Sequence, residues 1–192
     1  MKLAYAHRVL AREGEAHSGD AVLARVSEAG MLFALIDALG HGDTAWRVAE
    51  RAVACLLGQP EGVAAETAFA ALNEELRGTR GAAATLLALR GLQADFIGAG
   101  NVTCRTLGAS IPFFPKPGIV GSLRKLHGAT RVELQAGQRL VLHSDGISHR
   151  FDLRTLSELT PDQACDWILR HQRHPHDDAS VLIIDARDSA RP

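Results

Sequence analysis

Four aspartates in this chain stand where an apolar strand would meet a turn. Asp20 follows Ser18-Gly19, and Asp37 is followed by Ala38-Leu39-Gly40-His41-Gly42. Asp145 follows "LVLHS" and precedes Gly146, while Asp177 precedes Asp178 and the apolar run "ASVLIID". Taken singly, an aspartate beside a glycine is most simply a turn residue, because its side chain bonds nearby backbone. Four at strand ends offer more, provided those ends share one edge of the fold. Converging carboxylates repel, and burying them is costly unless cations neutralise them. A set of hard oxygens with no cysteine or histidine cluster suits Mg²⁺ or Mn²⁺. Two ions bridged by one aspartate would make a two-metal hydrolytic site. The neighbouring glycines would let backbone carbonyls approach the metal or its waters.

The elements that must position these residues are read from periodicity and punctuation. Residues 2–10 alternate loosely and predict a first strand. Segments 21–28 and 31–37 predict a hairpin with its turn at 28–30. A helix is expected over about 44–57, with Ala45, Ala49, Ala52, Val53 and Leu56 at helical spacing and Gly58 and Pro60 beyond its end. A second helix is expected over about 63–77, with Phe69, Leu72 and Leu76 on one face. Strands 82–89, 93–99 and 102–107 read as an antiparallel meander, and 130–134 with 139–143 as another hairpin. Between them, residues 110–126 are irregular, and the aromatic pair Phe113 and Phe114 there is expected in the core or a lid. Thr160-Pro161-Asp162-Gln163 has the hydroxyl, proline and glutamine of a capped helix start. Ala164, Trp167, Ile168 and His171 would line that helix's inner face, and 180–185 would close the fold as a strand. Strands, two helices, strands, helix, strand is an α+β order of antiparallel sheets rather than a βαβ alternation.

Length and charge narrow the function classes. At 192 residues the chain is expected to form one domain over 1–186, with 187–192 as a C-terminal tail. Its 21 basic and 22 acidic residues argue against a nucleic-acid footprint or a polybasic membrane anchor. No apolar run approaches the ~20 residues of a membrane span, and the start turns polar too early for a secretion signal. Cys55, Cys104 and Cys165 form no close pair, which reads as reduced thiols in a cytoplasmic protein.

The acidic segments, taken in order, resemble the metal-dependent PPM-type (2C) serine/threonine phosphatases. The nearest likeness is to their SpoIIE-like bacterial branch, and within it to stand-alone stressosome phosphatases of the RsbX type. "SGD" at 18–20, "DALGHG" at 37–42, "GAAATLLAL" at 81–89, "IGAGNV" at 97–102, "LHSDGI" at 142–147 and "HDDASVLII" at 176–184 carry it. Each is weak alone; the ordered set spans nearly the whole chain. The resemblance implies an α-β-β-α sandwich of two mainly antiparallel sheets flanked by helices.

By that resemblance Asp37 would bridge two Mn²⁺ or Mg²⁺ ions. Asp20 and the Ala38 carbonyl would complete one ion's site, while Asp145 and Asp177 would hold the other. The implied reaction is hydrolysis of a phosphoserine or phosphothreonine monoester by a metal-activated water. His41 is the candidate general acid, with a tight-turn role as its rival; His143, His174 and His176 rank behind it. Only one of Asp177 and Asp178 should be a ligand, because alternation along a strand sends neighbours to opposite faces. The phosphate-gripping arginine of many eukaryotic relatives has no evident counterpart, and Arg12 and Arg25 are candidates only by nearness to Asp20. The implied substrate is a phosphorylated STAS-domain protein, met by a monomer without nucleic acid or membrane. The alternatives are an anti-anti-sigma factor as substrate, or a non-catalytic phosphoprotein-binding module of the same fold. Ala179–Ile184 reads as a strand, against the helical setting of HD phosphohydrolases, and no nucleophile elbow or P-loop is present.

Overall fold

The computed structural model describes residues 2–187. Nine strands and three helices alternate in the expected order. The strands are β1 (Lys2–Leu10), β2 (Asp20–Ser27), β3 (Gly30–Ala38), β4 (Ala82–Arg90), β5 (Gln93–Ala99), β6 (Thr103–Leu107), β7 (Thr130–Glu133), β8 (Arg139–His143) and β9 (Ala179–Arg187). The helices are α1 (Gly42–Leu57), α2 (Ala65–Glu75) and α3 (Pro161–Gln172). Of the expected tail, Arg187 is the last residue of β9 and the rest lies outside the described residues.

All ladders are antiparallel and form two sheets, one ordered β2-β3-β4-β5-β7 and the other β1-β9-β8-β6. The strand period of two sorts each sheet's side chains into an inner and an outer face. Phe33, Leu35, Leu87 and Phe96 from the first sheet meet Leu140, Leu142, Leu182 and Ile184 from the second. The outer face of the first sheet is covered by α1 and α2 through Ala45, Ala49, Leu56, Phe69 and Leu72. That of the second is covered by α3 through Ala164, Cys165 and Ile168. The α-β-β-α sandwich expected from the sequence is therefore the observed architecture. Among the described residues no helix is long and apolar enough to cross a membrane.

Two expected pairings are corrected. Strand β6 does not extend the β4–β5 hairpin; it crosses to the other sheet and pairs with β8. Likewise β7 adds to β5 while β8 joins β6 and β9, so the turn after β7 steps between sheets instead of closing a hairpin. Alternation reports that a strand has two faces, not which sheet receives it. On α3, Thr160 Oγ1 accepts from Gln163 N–H (3.3 Å) and Gln163 Oε1 accepts from Thr160 N–H (2.9 Å), completing the capping box. His171, however, is exposed and stacks on Trp167; Cys165 takes the inward position expected of it. Phe113 is buried against Phe96, whereas Phe114 is 81% exposed.

Candidate active site

The inner faces of the two sheets are hydrocarbon along most of their length and polar at one end. Asp20, the first residue of β2, stands directly across from Asp37 near the end of β3. Directly opposed residues of an antiparallel pair share a face, with Cβ atoms roughly 4.5–5.5 Å apart. Both carboxylates therefore project from one spot, on the face that carries Phe33 and Leu35 inward. The second sheet contributes Ser144 just past β8 and Ser180 in β9, both fully buried. Ser180 N–H donates to Ser144 Oγ (3.0 Å) and Ser144 N–H to the Ser180 carbonyl (3.1 Å), which locks the two strand ends together.

Asp145 follows Ser144 into the turn, and Asn101 Nδ2 donates to its Oδ2 at 2.7 Å. Gly146 is needed for close approach: a Cβ there would lie 1.8 Å from the Asp178 carbonyl oxygen. The neighbours Asp177 and Asp178 part company. Asp178 is buried, and its carboxylate accepts the backbone N–H groups of Arg12 (2.8 Å) and Gly19 (2.7 Å). It thus ties the segment before β2 to the start of β9. Asp177 is exposed and faces the charge of Asp145.

The Asp37 turn is held by its backbone. Ala38 N–H donates to the Gly19 carbonyl, and Leu39 N–H to the Gly81 carbonyl, each at 3.0 Å. The Ala38 side chain packs toward the helices. A Cβ on Gly19 would stand 3.4 Å from the Ala38 oxygen and 2.7 Å from Ala45 Cβ, so only glycine lets this segment lie so close. His41 is the exposed N-cap of α1, its Nδ1 3.0 Å from Glu15 Oε1.

Burial and mutual repulsion set the electrostatics. Burial first, then the charges of Asp20, Asp145 and Asp177, raise the Asp37 carboxyl far above the ordinary carboxylate range. Asp20 is raised too, chiefly by burial; the Ser144 and Ser180 hydroxyls offset part of this, and Asp178 and Asp145 add repulsion. Asp20 Oδ2 is nonetheless buried without a hydrogen-bond partner. Asp177 is raised by burial and by Asp145, with Arg12 acting in the opposite direction.

The structure thus brings Asp20, Asp37, Asp145 and Asp177 to one end of the sandwich, with the Ala38 backbone and His41 beside them. His143 is not among them. It lies on the opposite face of β8, buried, with Nδ1 2.8 Å from the Ser144 carbonyl. Burial lowers its pKa to about 4, which keeps it neutral. Arg25 is also elsewhere: its guanidinium caps α1 by donating to the carbonyls of Leu57 (3.0 Å), Gln59 (2.7 Å) and Pro60 (2.8 Å). The sequence alone gives Asn101 and Ser180 no role, and Ser144 only a place in the Ser-Asp-Gly segment. A serine or asparagine at a strand end is too common to signal a site, although Asn101 sits inside the distinctive "IGAGNV".

No protein-family model matches the chain, and no curated protein matches it in sequence. Solved structures do. RsbX in complex with magnesium superposes with a TM-score of 0.83 at 20% identity, over 95% of this chain and 94% of that one. The catalytic domain of the serine/threonine phosphatase PstP with two manganese ions gives 0.75 at 19%, over 97% and 99%. A chain solved for the bacterial stressosome, a modular system adapted to control secondary messenger signalling, reaches 0.86 at 31% identity, covering 96% of this chain and 100% of that one. The chain has the fold of PP2C-type phosphatases.

Structures of this fold have been solved with Mg²⁺ or Mn²⁺, and the residues here fit such ions. The donors are all oxygen, the charges of Asp20, Asp145 and Asp177 reach Asp37, and Asp20 Oδ2 is buried with nothing to bond. Among the described residues no three acidic, His or Cys side chains already close on one point. Ions of this class need no such cage, since they keep several waters and take one or two carboxylates.

The raised carboxyl pKa values predict how the metal-free chain responds to pH. In the fold, Asp20 and Asp37 keep protons that they lose when unfolded. The native state then binds more protons than the unfolded one, so stability falls as pH rises above the unfolded value. His143, neutral in the fold, acts oppositely, and its contribution is lost only below its unfolded pKa of 6.5. Melting in EDTA should therefore shift to lower temperature between pH 6.5 and 8, and Mn²⁺ should remove the decline. A profile that is flat in EDTA would contradict the clustering of these carboxyls.

Proposed function

We propose that this chain is a Mn²⁺- or Mg²⁺-dependent phosphoserine/phosphothreonine protein phosphatase acting on a phosphorylated STAS-domain protein of a stressosome. The observation that carries the catalytic reading is the cross-strand pair Asp20–Asp37, joined from the opposite sheet by Asp145 and Asp177. The stressosome reading rests on the 31%-identical structure, supported by the likeness to RsbX.

In this reading Asp37, Asp20, the Ala38 carbonyl, Asp145 and Asp177 are the residues that would hold two divalent ions. Bound there, the ions neutralise phosphoryl charge and lower the pKa of a water from ~15.7 toward neutrality. The chain's own residues do the rest. Asn101 holds one oxygen of Asp145 and so aims the other at the basin. Asp178, occupied by two backbone amides, fixes Asp177 at the rim without competing for an ion. His41, exposed and paired with Glu15, is the candidate to hand a proton to the departing serine or threonine oxygen. Arg12, whose charge is felt at Asp177, is the candidate guanidinium for the substrate's phosphate.

Purified protein should hydrolyse a generic aryl phosphate when Mn²⁺ is added and not in EDTA. It should also remove phosphate from a phosphorylated STAS protein faster than from a phosphorylated anti-anti-sigma factor. Binding of the phosphoprotein without metal-dependent release would instead identify a non-catalytic module, and equal rates on both proteins would remove the stressosome assignment.

A further inference from the structure

A groove of 570 Å³ runs between the first turns of α1 and the turn that follows α2. It is lined by Arg47, Arg51 and Arg80, with Asp43, Thr44 and Thr79. The three guanidiniums are not equally committed. Arg51 is paired with Glu75 Oε1 at 2.5 Å. Asp43 is engaged by His17, Nδ1 to Oδ1 3.1 Å. Neither Arg47 nor Arg80 has a carboxylate partner among the described residues, and both are exposed. The groove therefore offers two free positive charges.

Its position matters as much as its charge. Arg80 lies against Gly40, inside the turn that carries Asp37: a Cβ at Gly40 would stand 2.6 Å from an Arg80 terminal nitrogen. Leu39 N–H donates to the Gly81 carbonyl, and Gly81 N–H donates to Thr79 Oγ1, both at 3.0 Å. The backbone that displays Arg80 is thus bonded to the backbone that displays Asp37. A strongly acidic basin and a basic groove adjoin across one glycine. With divalent ions in the basin, a plain phosphate would have its charge met there and have no use for the groove. A polypeptide whose phosphorylated residue enters the basin lays its neighbouring residues along the groove.

We infer that this groove is a specificity subsite for acidic residues flanking the phosphorylated serine or threonine of the substrate protein, read by Arg47 and Arg80. The inference rests on the phosphatase reading above. It adds that the chain discriminates between phosphoproteins by the charge beside the phosphosite. Exposed ion pairs are individually weak and screened by salt, so two of them give roughly a tenfold preference that fades as ionic strength rises.

Two readouts separate this inference from the phosphatase reading. The first is fluorescence anisotropy with an unphosphorylated, glutamate-rich peptide and a neutral peptide of equal length, on the wild-type chain and on Arg47→Ala/Arg80→Ala. The acidic peptide should bind the wild type, lose about tenfold in affinity in the double variant, and weaken with added salt. The second is the ratio of kcat/KM for phosphoserine peptides with acidic and neutral flanks, which should fall about tenfold in the double variant. Acidic-peptide binding that ignores the two arginines, or is fully displaced by inorganic phosphate, overturns the groove assignment. So does an unchanged kcat/KM ratio. Arginine-dependent binding without turnover of any phosphopeptide would leave the groove standing and remove the phosphatase reading instead.

Discussion

Asp37→Asn should lower metal-dependent phosphate release on the order of 10³-fold while making the metal-free protein harder to melt. The first effect follows from position. Asp37 faces Asp20 across the ladder and feels Asp145 and Asp177 from the other side, so in the proposed reading it serves both halves of the basin. Removing its charge removes the shared ligand, and losing one preorganised electrostatic contact in a buried site already costs about 10²–10³ in rate. The second effect follows from repulsion. The pKa of Asp37 is raised chiefly by burial and then by three neighbouring carboxylates, so above that pKa its charge opposes folding. An amide of the same shape relieves the strain, for a gain of about 2 kcal/mol, or roughly 5 °C for a chain of this size. Melting in EDTA at pH 8, beside initial rates with Mn²⁺, checks both. A variant that is inactive and also less stable would point to misfolding rather than to a lost ligand.

Gly146→Ala should be the most damaging small substitution in the chain. Gly146 has an ordinary negative φ, so its requirement is space: the added Cβ would lie 1.8 Å from the Asp178 carbonyl oxygen and 2.8 Å from its carbonyl carbon. Backbone at the start of β9 cannot swing aside as a flexible side-chain tip can, and Asp178 is pinned by the amides of Arg12 and Gly19. The expected cost is at least about 3 kcal/mol, a fall of roughly 10 °C in Tm. Activity should fall further, because both Asp145 and Asp177 adjoin the displaced backbone. Gly128→Ala is the matched control: nothing lies within 4 Å of its Cβ, so its effect should stay within about 0.5 kcal/mol. Similar melting temperatures for the two variants would refute the packing argument.

Much of this was legible in the sequence because it is written in local chemistry. Apolar runs ending in Asp-Gly combinations announced the strand mouths, and Thr160-Pro161-Asp162-Gln163 announced its own cap. Antiparallel architecture followed from the order of elements. What escaped depends on partners distant in the chain. The crossings of β6 and β7 between sheets turn on which edge is free, and no periodicity encodes that. The buried pair Arg139–Asp185, with Nε–Oδ1 at 2.6 Å and Nη2–Oδ2 at 2.7 Å, depends on β8 and β9 lying side by side, which neither segment's sequence encodes. The same holds for Ser144 and Ser180, whose meaning appears only when their strand ends interlock. Asp177 and Asp178 both precede β9, so strand alternation does not sort them; the amides of Arg12 and Gly19 show that Asp178 is already occupied.

The central claim is that these carboxylates form one basin holding two divalent ions. Crystals grown with Mn²⁺ and measured at an energy that excites manganese test it most directly. Two anomalous peaks should flank Asp37, one beside Asp20 and the Ala38 carbonyl, the other beside Asp145 and Asp177, with Asp178 still bonded to backbone amides. No anomalous density at Asp37, or a peak held by Asp178 in place of Asp177, would contradict it.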